Sequence, residues 1–292
     1  MEANFRWVPV TALAPVAWGT TYFVTHRYLP AGYPLYGAVF RALPAGVLLL
    51  LVRRRLPRGS WWRRSLVLGT LNMGAFFALV YLAAQQLPTS VASTVMATSP
   101  VVIMGFAWAV LAERPRLAQL GAAAVGIGGV CLMLLDGRGT VAPLGVLASV
   151  TAMAMSSLGC VLAKKWSAGV DVFSLTAWQL IAGGTALVPL AVVVEGRPPH
   201  LGGGALPGFG YVSVVATALA FAAWFTGLRH LDAATVGLVG LLNPVAGVLL
   251  GTALGGDALT GRQLLGLVLV FAGVILGQPV LARLRPARQR LT

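Results

Sequence analysis

Apolar runs of about 20 residues recur ten times along this chain, and charged residues are confined to the short stretches between them. A run of that length crosses the hydrocarbon of a bilayer as a helix. Only a helix or a closed barrel can satisfy its backbone there. The runs span Val8 to Thr25, Pro34 to Val52, Ser65 to Gln85, Ser90 to Ala112, Leu117 to Leu135, Leu144 to Ala163, Phe173 to Val194, Phe209 to Leu228, Ala233 to Leu254, and Gln263 to Leu281. The composition is 58% hydrophobic and 10% charged, whereas a soluble domain carries about 25% charged residues. The expected fold is an all-α integral membrane protein with ten transmembrane helices. Every Asp, Glu, Lys and His falls in or beside a connecting stretch, and Arg41 is the one charge placed well inside a run. A bundle without an interior carboxylate or histidine has little equipment for a proton relay and less for hydrolysis.

The basic residues give the direction of the spans. One alternating set of connections and termini carries 16 Lys and Arg, and the other carries only Arg27, Arg138, Arg197 and Arg262. Basic loops stay in the cytoplasm, so both termini are expected there, in keeping with an even number of spans. Trp7, Trp61, Trp62 and Trp166 fall at the same, inner interface, where indoles settle. The net charge of +14 is thus an orientation signal spread over loops rather than the basic face of a nucleic-acid binder. The expected partner surface is the lipid bilayer. Cys131 and Cys160 both lie in apolar runs and read as small core residues, not as metal ligands. The first run lacks a strongly basic leader and a small-residue cleavage site, so it reads as the first span.

The chain also repeats itself at an offset of 144 residues: "LPTSVASTVMATSP" from Leu87 matches "LDAATVGLVGLLNP" from Leu231. Pro100 then aligns with Pro244, Glu113 with Asp257, Gln119 with Gln263 and Gly129 with Gly273, in one register without a gap. Each half, residues 1–139 and 140–292, would hold five helices. Five is odd, so the halves would lie in opposite orientations. Inverted repeats of this kind are typical of secondary transporters, with the substrate held near the midplane between the halves.

Several stretches carry a resemblance to a known family: "WGTTYFV" from Trp18, "FRALPAG" around Arg41, the segment from Ala78 through "LAERP", and "NPVAGVLLGTALGGDALTGRQLLGLVLVFAGVILG" from Asn243. The chain resembles the drug/metabolite transporter superfamily in its EamA-type ten-helix branch. With "LTAWQLIAGG" from Leu175, it is similar to YddG-like exporters of aromatic amino acids. The resemblance implies a multi-pass protein of a bacterial-type inner membrane that exports small metabolites, aromatic or apolar amino acids first among them. Asp257 stands where that family usually has Glu.

Candidate substrate-binding residues follow from side-chain chemistry. Small-molecule cavities are mostly apolar and aromatic, with a few polar groups for orientation. Trp18, Thr21 and Tyr22 form one such patch, and Asn72, Phe77 and Tyr81 another. Trp178, Gln179 and Trp224 lie within later spans, and of the four interior tryptophans, Trp18, Trp108, Trp178 and Trp224, two are expected to face lipid or other helices. Pro100 and Pro244 break a hydrogen bond in spans four and nine, beside Thr94, Ser99 and Asn243. They are expected either to kink helices that line a cavity and gate it, or to serve packing alone. Arg41 would grip a substrate carboxylate with its planar fork or reach outward to Asp136 or Asp257. Glu113 is expected to pair locally with Arg114 and Arg116. No metal site or cofactor is expected, and there is no metalloprotease, nucleophile-elbow or phosphate-loop motif. Without an interior acid, facilitated diffusion or exchange is the first expectation. Efflux of amphipathic toxic compounds, driven by protons or not, is the alternative, and an integral membrane enzyme a remote one. Gly247 with Gly251 and Gly273 with Gly277 allow close helix contacts within a monomer or across a homodimer.

Overall fold

The computed structural model describes residues 6–28, 32–87, 89–134, 142–255 and 259–278, and these form helices and turns without a strand. The helices are α1 (Trp7–Tyr28), α2 (Pro34–Arg53), α3 (Trp61–Gly69), α4 (Ala75–Gln86), α5 (Thr89–Ala97), α6 (Ser99–Leu111) and α7 (Leu117–Leu134). They continue as α8 (Pro143–Trp166), α9 (Val172–Glu195), α10 (Ala205–Ser213), α11 (Ala220–His230), α12 (Ala233–Gly240), α13 (Leu242–Gly255) and α14 (Gly261–Leu276). Taken with their continuations, eight of these segments are long and apolar enough to cross a membrane, and α1 and α14 flank them.

Local sequence sets the ends. Pro34 and Pro143 open α2 and α8 from the first turn, where a missing N–H costs nothing. Asp171 and Asp232 accept the backbone N–H three residues on and cap α9 and α12. Thr260 and Gln263 form a reciprocal capping box at the start of α14. Ala112 closes α6 in the left-handed region, at φ 58°. The next N–H, that of Glu113, then reaches back to the carbonyl of Ala107, which turns Glu113 across the bundle.

Four interruptions divide the apolar segments. A π-helical turn at Thr70–Gly74 joins α3 to α4, and another at Val214–Leu219 joins α10 to α11. They begin 144 residues apart, as do α3 and α10. A one-residue break at Thr98 separates α5 from α6, and one at Leu241 separates α12 from α13. Pro100 and Pro244 come just after these breaks, and the Thr98 hydroxyl donates to the Val95 carbonyl at 2.7 Å.

Packing relies on glycines where backbones meet. α7 lies along α14 and α2 along α9. A Cβ on Gly129 would come 2.7 Å from the Gly266 carbonyl oxygen, and one on Gly266 would come 2.7 Å from that of Gly129. Gly46 and Gly184 do the same for α2 and α9, facing Leu180–Ile181 and Ala42–Leu43. Gly273 and Gly277 pack against α7 at Ala122, but a Cβ on Gly251 would meet nothing within 4 Å among the described residues. Gly247 faces Gly19 of α1, where a Cβ on Gly19 would come 2.9 Å from the Gly247 nitrogen, so of this pair Gly247 alone marks a close helix contact among the described residues.

Asp171 also anchors the Arg-rich turn after α2. Its carboxylate lies 3.3 Å from Arg53 Nε and 3.9 Å from Arg55 Nη1. Burial pushes its pKa up, but hydrogen bonds from the Ser174 hydroxyl and N–H and the charges of Arg53 and Arg55 outweigh it, so the net shift is below the ordinary 3.8. A depressed carboxylate contributes stability above its unfolded pKa and loses it as pH falls through the folded value. Asp171→Asn keeps a capping side chain and discards the ion pairs, which are largely solvated on the arginine side. We expect it to cost about 0.5–1 kcal/mol at neutral pH. Wild-type and variant thermal midpoints should converge as pH falls through the depressed folded pKa of Asp171.

Candidate functional site

The interior polar and aromatic side chains gather around α1, α2, α4 and the π-turn ahead of α11. Arg41 of α2 donates from Nε to the Thr217 hydroxyl at 2.9 Å and from Nη2 to the Ala216 carbonyl at 3.1 Å. Its guanidinium also lies over the Phe77 ring, 5.3 Å from the centroid. Arg41 is neither fully buried nor exposed. These partners lie on the neighbouring helix; Asp136 and Asp257, the outward partners considered from sequence, lie outside the described residues. Phe77 and Phe221 both border one buried apolar cluster, and Phe77 and Tyr81 border the next.

Phe221 carries the aromatic cluster to α1. Trp18 sits 5.0 Å from Phe221 and 5.3 Å from Trp224, both tilted. The Trp224 indole donates to Cys160 Sγ at 3.4 Å, whereas the buried Trp18 indole N–H has no hydrogen-bond partner among the described residues. Gly240, the last residue of α12, leaves room for the Trp224 ring, which a Cβ there would meet at 3.2 Å. Trp224 is therefore wedged against the break at Leu241. Gly19 likewise leaves room for the Asn243 carbonyl, so α1 seats the side that follows the break and Trp224 the side that precedes it. Pro100 packs on Gly237, which brings the two broken helices together.

The structure places the sequence candidates unevenly. Trp18, Arg41, Phe77, Tyr81 and Trp224 share this aromatic interior, with Asn243 and Pro244 beside α1 and Thr94, Ser99 and Pro100 half-buried or buried on α5 and α6. Thr21 turns its hydroxyl back to the Ala17 carbonyl, while Thr20 shares a 2.6 Å hydrogen bond with Tyr211. The side chain of Tyr22 lies outside the described residues. Trp178 belongs to the buried apolar cluster that Phe77 and Phe221 border, and its indole donates to the Arg55 carbonyl at 2.8 Å and packs against Trp61. Gln179 is fully buried and accepts from Asn72 Nδ2 at 2.8 Å. Trp108 is exposed on the outside of the bundle. Thr217 and Phe221 were absent from the sequence candidates. Phe221 could have been found, since it stands 144 residues after Phe77.

A second polar cluster closes one end of the bundle. Glu113 does not pair with its neighbours Arg114 and Arg116. Its Oε1 lies 2.6 Å from Lys164 Nζ and its Oε2 accepts the Ala233 N–H at 2.9 Å. Lys164 also donates to the Leu231 carbonyl, and Gln119 donates to Asp232 at 3.2 Å. These bonds tie the α6–α7 turn to α8 and to the start of α12, beside a cavity of about 160 Å³ lined by Glu113, Arg116, Gln119 and Asp232. No cluster of three or more metal-ligating side chains occurs among the described residues.

The EamA-like transporter family matches two stretches of the chain, residues 5–135 and 143–277. Protein PecM of Dickeya dadantii is 36% identical over 91% of this chain and 90% of its own length. The inner membrane transporter YedA of Escherichia coli K12 is 28% identical over 89% and 87%. A protein of Salmonella typhimurium named as a probable amino-acid metabolite efflux pump is 27% identical over 90% and 91%. A crystal structure whose chain is 21% identical superposes with a TM-score of 0.82 over 96% of this chain and 99% of that one, a likeness of fold.

Proposed function

The chain belongs to the EamA-like transporter family and is a multi-pass membrane transporter; on that premise we propose that it exports amino acids with aromatic or large apolar side chains by alternating access. In this reading α1 and α14 complete a set of ten spans, the termini are cytoplasmic, and residues 1–139 and 140–292 are inverted repeats. The two separate stretches matched by the family and the paired π-turns support the repeat.

The observation that carries the substrate class is Arg41 over Phe77, at the edge of an aromatic interior holding Trp18, Phe221 and Trp224. A planar cation beside ring faces suits a ligand with a carboxylate at one end and an apolar body at the other. Tyr81, Thr94, Ser99 and Asn243 supply polar groups around it, and Asn72 with Gln179 braces the wall behind. The Salmonella relative named for amino-acid metabolite efflux agrees with this chemistry.

Lopsided burial supports a gating scheme. Windows of Ala205–His230 and Ala233–Ala253 are 72% and 56% buried, but those of Trp61–Gln86 and Val91–Leu111 only 33% and 28%. On the alternating-access reading, equivalent helices of the two repeats are covered unequally when one end of the pathway is open. Residues 75–82 and 91–96 are half-buried all round, as for helices with lipid on one face and a pathway on the other. We read the chain as open on the side of the α4–α5 connection and shut at Glu113–Lys164. The breaks before Pro100 and Pro244 let α5–α6 and α12–α13 bend as those ends exchange.

Uptake of radiolabelled phenylalanine by the purified protein in liposomes tests the function, with and without a pH gradient. Saturable uptake that ignores the gradient is expected of a facilitator or exchanger. Uptake only with the gradient would replace that mechanism, and uptake of amphipathic cations alone would replace the substrate. Arg41→Ala should lower phenylalanine uptake at least tenfold and leave a cationic substrate less affected. Equal losses at normal expression would sink the carboxylate role.

A further inference from the structure

Arg41 and Gln179 occupy equivalent positions in the two halves. They are 138 residues apart, as are Gly46 and Gly184, and those glycines mark reciprocal contacts between α2 and α9. Each side chain reaches a π-turn. Gln179 bonds Asn72 in the turn Thr70–Gly74, and Arg41 bonds Ala216 in the turn Val214–Leu219. Asn72 and Ala216 are themselves 144 residues apart. A π-turn takes a residue out of the regular ladder and leaves backbone groups to be bonded from outside. Gln179 meets the first π-turn through the Asn72 side chain, whereas Arg41 bonds the backbone of the second at Ala216. The group at the first π-turn is a neutral amide, fully buried. The group at the second is a cation that is not fully buried.

We infer that Thr217, with the Ala216 carbonyl, is the positioning element that sets the direction of the Arg41 guanidinium, and through it the preference for carboxylate-bearing substrates. This rests on the function proposed above. The geometry is specific. Nε and Nη2 form one edge of the planar fork, and two acceptors on consecutive residues of the π-turn take that edge at 2.9 and 3.1 Å. With that edge held side-on and the face laid on Phe77, both the rotation and the tilt of the guanidinium are determined. A regular α-helical turn would commit the Ala216 carbonyl to its own ladder, so the π-turn is what makes the pair of acceptors available. Thr217 is buried at 1% exposure and acts through Arg41 rather than on the substrate.

Thr217→Val keeps the side-chain shape and removes the acceptor; Thr217→Ser keeps the acceptor. In liposomes containing the full chain, Thr217→Val should raise the KM for phenylalanine roughly tenfold with Vmax little changed. Uptake of phenylalaninamide, which lacks the carboxylate, should stay as in wild type, and Thr217→Ser should restore the phenylalanine KM. Equal loss for acid and amide, or no loss, overturns the inference. A second readout is independent of transport: modification of Arg41 by phenylglyoxal, followed by peptide mass spectrometry. It should be several-fold faster in Thr217→Val than in wild type or Thr217→Ser, and an unchanged rate overturns the inference. Wild-type protein that moves neither probe defeats the substrate assignment alone, and the labelling rates then decide on Thr217.

Discussion

Glu113→Ala should both destabilise the protein and cripple transport. The substitution strands Lys164, whose side chain is 17% exposed, without its counter-charge, and it strips the acceptor from the first N–H of α12. The pair is only partly buried, 17% exposed at Lys164 and 30% at Glu113, so breaking it costs about 1–2 kcal/mol, and the lost helix-end bond adds about 1 kcal/mol. On the proposed gating scheme the bonds among α6–α7, α8 and α12 shut this end of the bundle, so weakening them favours the opposite access state or a leak. Initial uptake rates should fall about tenfold or more, and the thermal midpoint should drop. Glu113→Gln separates the two contributions, because an amide oxygen still accepts from Ala233 while the charge on Lys164 goes unanswered. An intermediate midpoint is expected for it. A wild-type midpoint and rate in Glu113→Ala would show that the cluster seals nothing.

Gly129→Leu should prevent a monodisperse protein from forming. The α7–α14 interface brings backbone against backbone, and a Cβ at position 129 would sit 2.7 Å from the Gly266 carbonyl and 2.9 Å from Leu269 Cβ. Neither can yield without moving a helix. Overpacking a well-fitted interface costs about 1–3 kcal/mol, and a four-carbon side chain placed on backbone belongs at or beyond the top of that range. Gly251→Leu is the matched control, since nothing described lies within 4 Å of its Cβ. Size-exclusion profiles and midpoints should separate the two variants widely. A Gly129→Leu protein that elutes and melts like wild type would remove the contact from the account of stability.

The helices were legible in the sequence because hydrocarbon imposes a length and a polarity that composition alone reports. Boundaries read from hydropathy fall within a few residues of the observed ends at Pro34, Leu117, Phe173 and Ala233. The interruptions at Pro100 and Pro244 were legible too, but the caps at Asp171, Asp232 and Thr260 were not singled out. Side-chain direction was not. Trp178 and Trp224 look alike in an apolar run, but Trp178 is seven residues into α9, within reach of the Arg55 carbonyl, and its indole goes there. Glu113 stands beside two arginines in sequence, yet the left-handed Ala112 swings it to Lys164, 51 positions away. The π-turns left no compositional trace, since neither proline nor a polar run marks them, so Thr217 could not be singled out. Arg41 was recognised as an interior charge, but the atoms that hold it belong to residues 175 and 176 positions later.

The paired π-turns also bear on ancestry. A π-turn carries one more residue than the α-turn it replaces, so its gain or loss in one copy alone would shift every later residue by one. The offset between the halves is 144 at Trp61 and Ala205, before the bulges, and still 144 at Pro100 and Pro244, after them. On the two-repeat reading, the extra residue was already present in the half-length ancestor. The helix that later came to lie beside each bulge then diverged in what it offers, an amide in one copy and a guanidinium in the other. On that reading the π-turn is the older part, and the guanidinium of Arg41 was fitted to it afterwards.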